Sequence, residues 1–107
     1  MIALPIQIPR EAMASFCARN HIQKLSLFGS VLTPRFRDES DIDMLVEFER
    51  GRVPGLLGIA GMEIELSEML GRKVDLRTPA ELSKYFRDEV VASALPQYEY
   101  PASRTTS

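Results

Sequence analysis

Asp41 and Asp43 stand two residues apart in the stretch Asp41 to Phe48, whose Ile42, Leu45, Val46 and Phe48 predict a β-strand. Side chains alternate along a strand, so both carboxylates share one face while Ile42 and Met44 take the other. Two neighbouring carboxylates repel unless a cation lies between them. A hard divalent ion with oxygen ligands, magnesium above all, suits such a pair, completed by water and substrate phosphates. This is the protein half of a metal-assisted phosphoryl or nucleotidyl transfer site. Ten residues separate Asp41 from Gly29-Ser30, which breaks an earlier strand pattern. A glycine there lets the backbone approach a phosphate, the N–H groups of the following turn attract an anion, and the serine hydroxyl can donate to a phosphate oxygen.

A third carboxylate, Asp75, sits in Lys73-Val74-Asp75-Leu76-Arg77, a short strand pattern with Val74 and Leu76 toward the core. Laid beside the Asp41/Asp43 strand, it brings three carboxylates together, and Asp75 would hold a second metal or take the proton of an attacking hydroxyl. Plainer readings stand beside these. Asp41 and Asp43 fit a solvated strand entry, Asp75 an ion pair with Lys73 or Arg77, Ser30 an ordinary turn, and Arg35 and Arg37 a solvated loop. No histidine lies in a context that would make Ser30 a covalent nucleophile.

The elements that must position these residues alternate along the chain. Arg10 to Asn20 predicts a helix with Met13, Phe16 and Cys17 on one side, preceded by Pro9. Ile22 to Phe28 alternates as a strand, and Val31 to Phe36 suggests a short helical turn interrupted by Pro34. Gly58 to Leu70 is an amphipathic helix with Ile59, Met62, Leu66, Met69 and Leu70 on one stripe and Gly71 at its end. Thr78-Pro79-Ala80-Glu81 is a capping box opening a helical segment that reaches about Ala94, in one piece or two, before Pro96 stops it. The order α-β-(α)-β-α-β-α predicts a small α/β (α+β) fold, a mixed β-sheet with helices packed on it. A single domain over residues 1–95 is expected, followed by a polar, partly disordered tail at 96–107 in which Tyr98 and Tyr100 could form a last short strand.

With 107 residues, 45% hydrophobic and 26% charged, the chain has the composition of a globular domain that folds without disulfides. The net charge of −2 gives no basic surplus for gripping a phosphate backbone, so direct nucleic-acid binding is not expected. The lone Cys17 and the lone His21 cannot complete a zinc site, and Cys17 reads as a buried apolar residue. No apolar run spans a membrane and no leader peptide is visible, so a cytoplasmic location is expected.

Phe28-Gly29-Ser30, then Ser40-Asp41-Ile42-Asp43-Met44-Leu45-Val46, then Gly71-Arg72-Lys73-Val74-Asp75-Leu76 resemble the signature of the polymerase-beta-like nucleotidyltransferase superfamily. The short chain resembles its minimal nucleotidyltransferase (MNT) branch over roughly residues 20 to 95. The resemblance implies a polymerase-beta-like core, magnesium as two ions, and ATP as substrate. It implies a protein adenylyltransferase acting as the antitoxin of a HEPN-type ribonuclease toxin, transferring AMP to a toxin tyrosine. By position, Gly29 and Ser30 would hold the triphosphate, Asp41 and Asp43 the metals, and Asp75 would be the third metal or base position. Many relatives carry arginine directly after the Gly-Ser pair, where this chain has Val31; Arg35 or Arg37 would then take that phosphate contact. The alternative is an antitoxin that neutralises its toxin by binding, with catalysis weak or lost. A core without an acceptor-binding domain suits an acceptor that brings its own surface.

Overall fold

A computed structural model describes residues 6–99. Helix α1 (Arg10–Arg19) leads into strand β1 (Ile22–Phe28), a 3-10 turn at Gly29–Leu32, and strand β2 (Ile42–Phe48). Helix α2 (Leu56–Leu70) crosses to strand β3 (Val74–Arg77); a second 3-10 turn (Pro79–Glu81), helix α3 (Arg87–Ser93) and strand β4 (Leu95–Glu99) follow. The sheet order is β3-β2-β1-β4. β1 runs antiparallel to both neighbours and β2 parallel to β3, the direction a helical crossover requires.

Local chemistry accounts for the element ends. Gly71 adopts φ +72° after α2 and its N–H donates to Ser67 C=O at 2.9 Å, the left-handed cap that glycine accommodates without a Cβ clash. His21 (φ 56°) turns the chain between α1 and β1, where Asn20 Nδ2 donates back to Phe16 C=O at 2.8 Å. The Thr78–Glu81 motif forms, with Thr78 N–H donating to Glu81 Oε1 at 2.8 Å. It opens only the 3-10 turn, and Phe86, with φ −131°, separates this piece from α3.

Several boundaries differ from the sequence reading: α2 starts at Leu56 rather than Gly58, the first turn takes Gly29–Leu32 rather than Val31–Phe36, and β3 starts at Val74 rather than Lys73. Asp41 lies just ahead of β2, although the neighbouring Ile42 N–H already bonds Lys73 C=O at 2.9 Å. The tail expected from residue 96 starts inside a strand: β4 pairs with β1, and partly buried Tyr98 packs against the core. Pro96 ends the helical segment as expected and enters the edge strand, where its missing N–H is tolerated. Tyr100 and the rest of the expected tail lie outside the described residues.

One sheet face is closed by α1 and α2. Leu25, Leu27, Met44, Val46, Val74 and Leu76 alternate onto it and meet Met13, Phe16 and Cys17 of α1 and Met62 and Leu66 of α2. Each buried side chain of this size contributes roughly 1.5–3 kcal/mol. Cys17 belongs to this core, where burial pushes its thiol pKa up to about 12 and leaves it a small hydrophobe. Among the described residues no helix is long and apolar enough to cross a membrane.

Candidate active site

Alternation sends Phe28, Asp43 and Asp75 to the face opposite this core. Register aligns them: Phe28 is the antiparallel partner of Asp43, and Asp43 the parallel partner of Asp75. The two carboxylates therefore stand on adjacent strands, with Asp41 just outside the start of β2. Their mutual influence is visible at Asp43, whose pKa is raised above the ordinary carboxylate value first by burial, then by the negative charges of Asp75 and Asp41; Arg77 opposes the shift.

Gly29 follows Phe28 directly and takes φ +80°. A Cβ built on it would collide with the Asp43 carboxylate. Two independent demands, a left-handed backbone and a close approach to the acid, thus fall on one residue that lacks a side chain. From here the 3-10 turn opens toward Ser30, whose hydroxyl makes no hydrogen bond among the described residues; its C=O accepts from Thr33 N–H and Oγ1, both at 2.9 Å. The Gly29 turn and the carboxylates share one end of the central strands β1 and β2.

Val31, the departure noted above, is only 2% exposed and belongs to the core. Its side chain faces the core and brings no positive charge to the turn. Arg35 and Arg37 lie on the exposed loop between the turn and β2, and neither guanidinium has a partner among the described residues. Arg72 anchors this loop: its Nη1 donates to Arg37 C=O at 3.1 Å and its guanidinium stacks 4.7 Å over Phe36. The loop is tied to the base of β3, beside the carboxylates.

The three acids do not close into a cage. Among the described residues no three metal-ligating side chains gather around one point. Asp75 instead accepts from Arg77 Nη2 at 3.1 Å, and Asp41 faces Lys73 Nζ at 3.9 Å. These exposed cations stand where a metal's charge would be felt, and the Asp75–Arg77 pair is one the sequence had suggested. The donor set contains carboxylate oxygens alone, which fits a hard divalent ion, and Asp43 retains unneutralised negative charge around it.

Sequence reasoning missed Arg72, the Lys73–Asp41 pair and the support under β3. On the outer edge of that strand, Leu76 N–H donates to Glu63 Oε2 at 2.7 Å and Val74 N–H to Ser67 Oγ at 2.9 Å. Two α2 side chains four residues apart thus satisfy the open edge of β3 and hold the strand that carries Asp75. The i, i+4 spacing was readable; its target on another element was not.

Comparisons with known proteins place the chain in one family. A family model described as "Nucleotidyltransferase domain" matches residues 10–96. A Methanocaldococcus jannaschii protein, named provisionally as a protein adenylyltransferase, is 32% identical over 77 residues, covering 72% of this chain and 81% of its own length. A solved structure, described provisionally as a minimal nucleotidyltransferase, superposes with TM-score 0.67 at 39% identity, covering 81% of this chain and 87% of the other. An MNT antitoxin in complex with the tri-AMPylated HEPN toxin of Shewanella oneidensis superposes with TM-score 0.61 at 20% identity, covering 88% of this chain and 72% of that one, a likeness of fold.

Proposed function

Because the chain belongs to the minimal nucleotidyltransferase branch of the nucleotidyltransferase domain family, we propose that it is an antitoxin that moves AMP from ATP to a tyrosine hydroxyl of a cognate HEPN-type ribonuclease toxin. It is a nucleotidyltransferase; the donor, the acceptor, magnesium and a cytoplasmic setting are the proposed parts. The observation that carries the reading is the contact of Gly29 with Asp43, which joins a phosphate-accepting turn to a carboxylate face. Support for the acceptor comes from the relative named for protein adenylyl transfer and from the fold shared with an antitoxin bound to an AMPylated toxin.

The oxygen-only donors Asp41, Asp43 and Asp75 would hold magnesium, which, when bound, supplies positive charge to the phosphates and to the developing transition state. The chain's own residues do the rest. N–H groups of the Gly29 turn and the Ser30 hydroxyl receive triphosphate oxygens, and Arg35 and Arg37 lend positive charge from the loop. The tyrosine oxygen attacks the α-phosphorus, a new O–P bond forms, and the bond to pyrophosphate breaks. The tyrosine proton passes to Asp75 once that carboxylate has left Arg77.

The test takes a short helical HEPN-type protein from a neighbouring gene as candidate acceptor and weighs it intact after incubation with the chain, ATP and Mg²⁺. AMP-sized increments on a tyrosine, absent with Asp41→Asn, are expected. An unmodified toxin inhibited only in a stoichiometric complex would replace the enzyme reading with neutralisation by binding.

A further inference from the structure

The segment from Thr33 to Asp41, between the first 3-10 turn and β2, has no regular structure and is largely exposed, yet its backbone is bonded residue by residue. Ser30 C=O accepts from Thr33 Oγ1 at 2.9 Å, and that hydroxyl oxygen accepts in turn from Arg35 N–H at 3.2 Å. Phe36 N–H donates to Thr33 C=O at 3.3 Å. Arg37 N–H donates to Ser40 Oγ and Ser40 N–H returns to Arg37 C=O, both at 3.0 Å. These bonds are local, and none of them reaches another strand or helix. Arg72 supplies that link. It stands at the entry to β3, next to Lys73, whose C=O receives Ile42 N–H at 2.9 Å where β2 begins. Its side chain is only 22% exposed and meets three consecutive residues of the segment. The guanidinium stacks 4.7 Å over Phe36, Nη1 donates to Arg37 C=O at 3.1 Å, and Nη2 faces Asp38 Oδ1 at 3.9 Å. Asp38 is fully exposed, so its ion pair adds little; Phe36, partly buried against the core, and the Arg37 carbonyl carry the clamp. A lysine ammonium has neither the flat face nor the fork that these two contacts use.

We propose that Arg72 is a positioning residue for the nucleotide. It holds residues 36–38 against the entry to β3, so that Arg35 and Arg37 meet a bound triphosphate from a fixed backbone, and it does so without touching the nucleotide. Its own N–H groups and ring face are already engaged, whereas the guanidiniums of Arg35 and Arg37 are unpartnered among the described residues. A segment fixed before binding spares ATP the entropy of ordering it, and two charges held beside the Ser30 turn act on the phosphates together. This role rests on the reading that the Gly29 turn and the carboxylates accept ATP and that Arg35 and Arg37 lend it charge. When Arg72 is replaced, Arg37 C=O keeps Ser40 N–H as a donor, so no buried acceptor is orphaned and the variants should melt close to wild type.

Calorimetric titration of the full chain with a non-hydrolysable ATP analogue and Mg²⁺ tests it. Arg72→Met keeps the aliphatic stem and should weaken binding about tenfold, the scale on which a residue acts through its neighbours. Arg72→Lys keeps the charge and should weaken binding nearly as much, because the stack and the fork are both lost. Arg35→Gln with Arg37→Gln should weaken it too, and adding Arg72→Met to that double variant should cost nothing further. Hydrogen exchange should quicken at residues 33–40 in Arg72→Met and stay unchanged in β1 and β2. If the double variant is weakened but Arg72→Met binds like wild type, the proposal is overturned and the nucleotide reading stands. A loss that persists in full on the double variant overturns it as well, since Arg72 would then act on the nucleotide directly or through overall charge. So does full rescue by Arg72→Lys, or exchange at residues 33–40 that Arg72→Met does not change. A double variant that binds like wild type removes both this role and the phosphate contact assigned to Arg35 and Arg37. A wild type that binds no nucleotide removes the reading of the site itself, and the role of Arg72 with it.

Discussion

The two faces of the sheet are built from alternate residues of the same strands, and they are held by different physics. On the helical face, Leu27, Met44 and Leu76 follow one another across β1, β2 and β3 under α1 and α2, and their side chains join the apolar core. On the other face, Phe28, Asp43 and Asp75 occupy the adjoining positions, and the central acid is raised in pKa by its neighbours. The first face stabilises the protein by removing surface from water. The second gathers like charges that oppose folding until a cation or a substrate joins them. The larger apolar core lies on one side of a two-residue period and the carboxylates on the other.

This division can be broken in a graded way. Asp43→Asn should lower nucleotidyl transfer by about three orders of magnitude, the several kcal/mol that a metal ligand commands, while thermal melting shows a fold as stable as wild type or slightly more so. Leu27→Ala, one position away on the other face, should do the reverse. It should cost about 2–5 kcal/mol in denaturant unfolding yet leave turnover per folded molecule close to wild type. If Leu27→Ala abolished turnover in chains shown to be folded, the two faces would not be separable.

Gly29→Ala tests the seam between the faces. The added methyl meets the Asp43 carboxylate and forces an alanine to φ +80°, so a loss of about 1–2 kcal/mol is expected from strain alone, with a further loss of activity. In the Asp43→Ala background the collision disappears and the stability loss should shrink toward the strain contribution. Additive losses in a double-mutant cycle would show that the two residues do not touch.

The smallest expected effect is a pH dependence. A raised Asp43 pKa means that the folded state binds its proton more tightly than the unfolded chain does. Its contribution to stability is thus fully present below the ordinary carboxylate range and is lost as pH rises through the raised value. Without divalent ions, Asp43→Asn should therefore melt at or above the wild-type midpoint at neutral pH, and the two should converge in acid. A variant that melts below wild type at neutral pH and above it in acid would reverse the sign of the shift.

Much of this was legible in the sequence because it is local. Alternation in Ile22 to Phe28 and the apolar content of Asp41 to Phe48 gave the strands, although Asp41 falls just ahead of β2 and only Asp43 lies within it. The Gly29 turn and the Gly71 cap announced themselves by residue type. What the sequence concealed depends on partners distant in the chain. Arg72 reads as one more surface charge until the loop of Arg37 folds onto it, and Glu63 reads as a solvated helix face until β3 presents Leu76 N–H to it. β4 hid behind Pro96, a residue that signals an ending and here stands second in an edge strand. The identity of the face was local; its reinforcement was not.

The most direct measurement is a crystal structure of the chain with Mg²⁺ and a non-hydrolysable ATP analogue. The triphosphate should lie against the Gly29–Ser30 turn, with metal bound to Asp41 and Asp43 and with Arg77 drawn away from Asp75. A nucleotide bound on any other surface, with the carboxylate face still paired to Lys73 and Arg77, would contradict the assignment of chemistry to this side of the sheet.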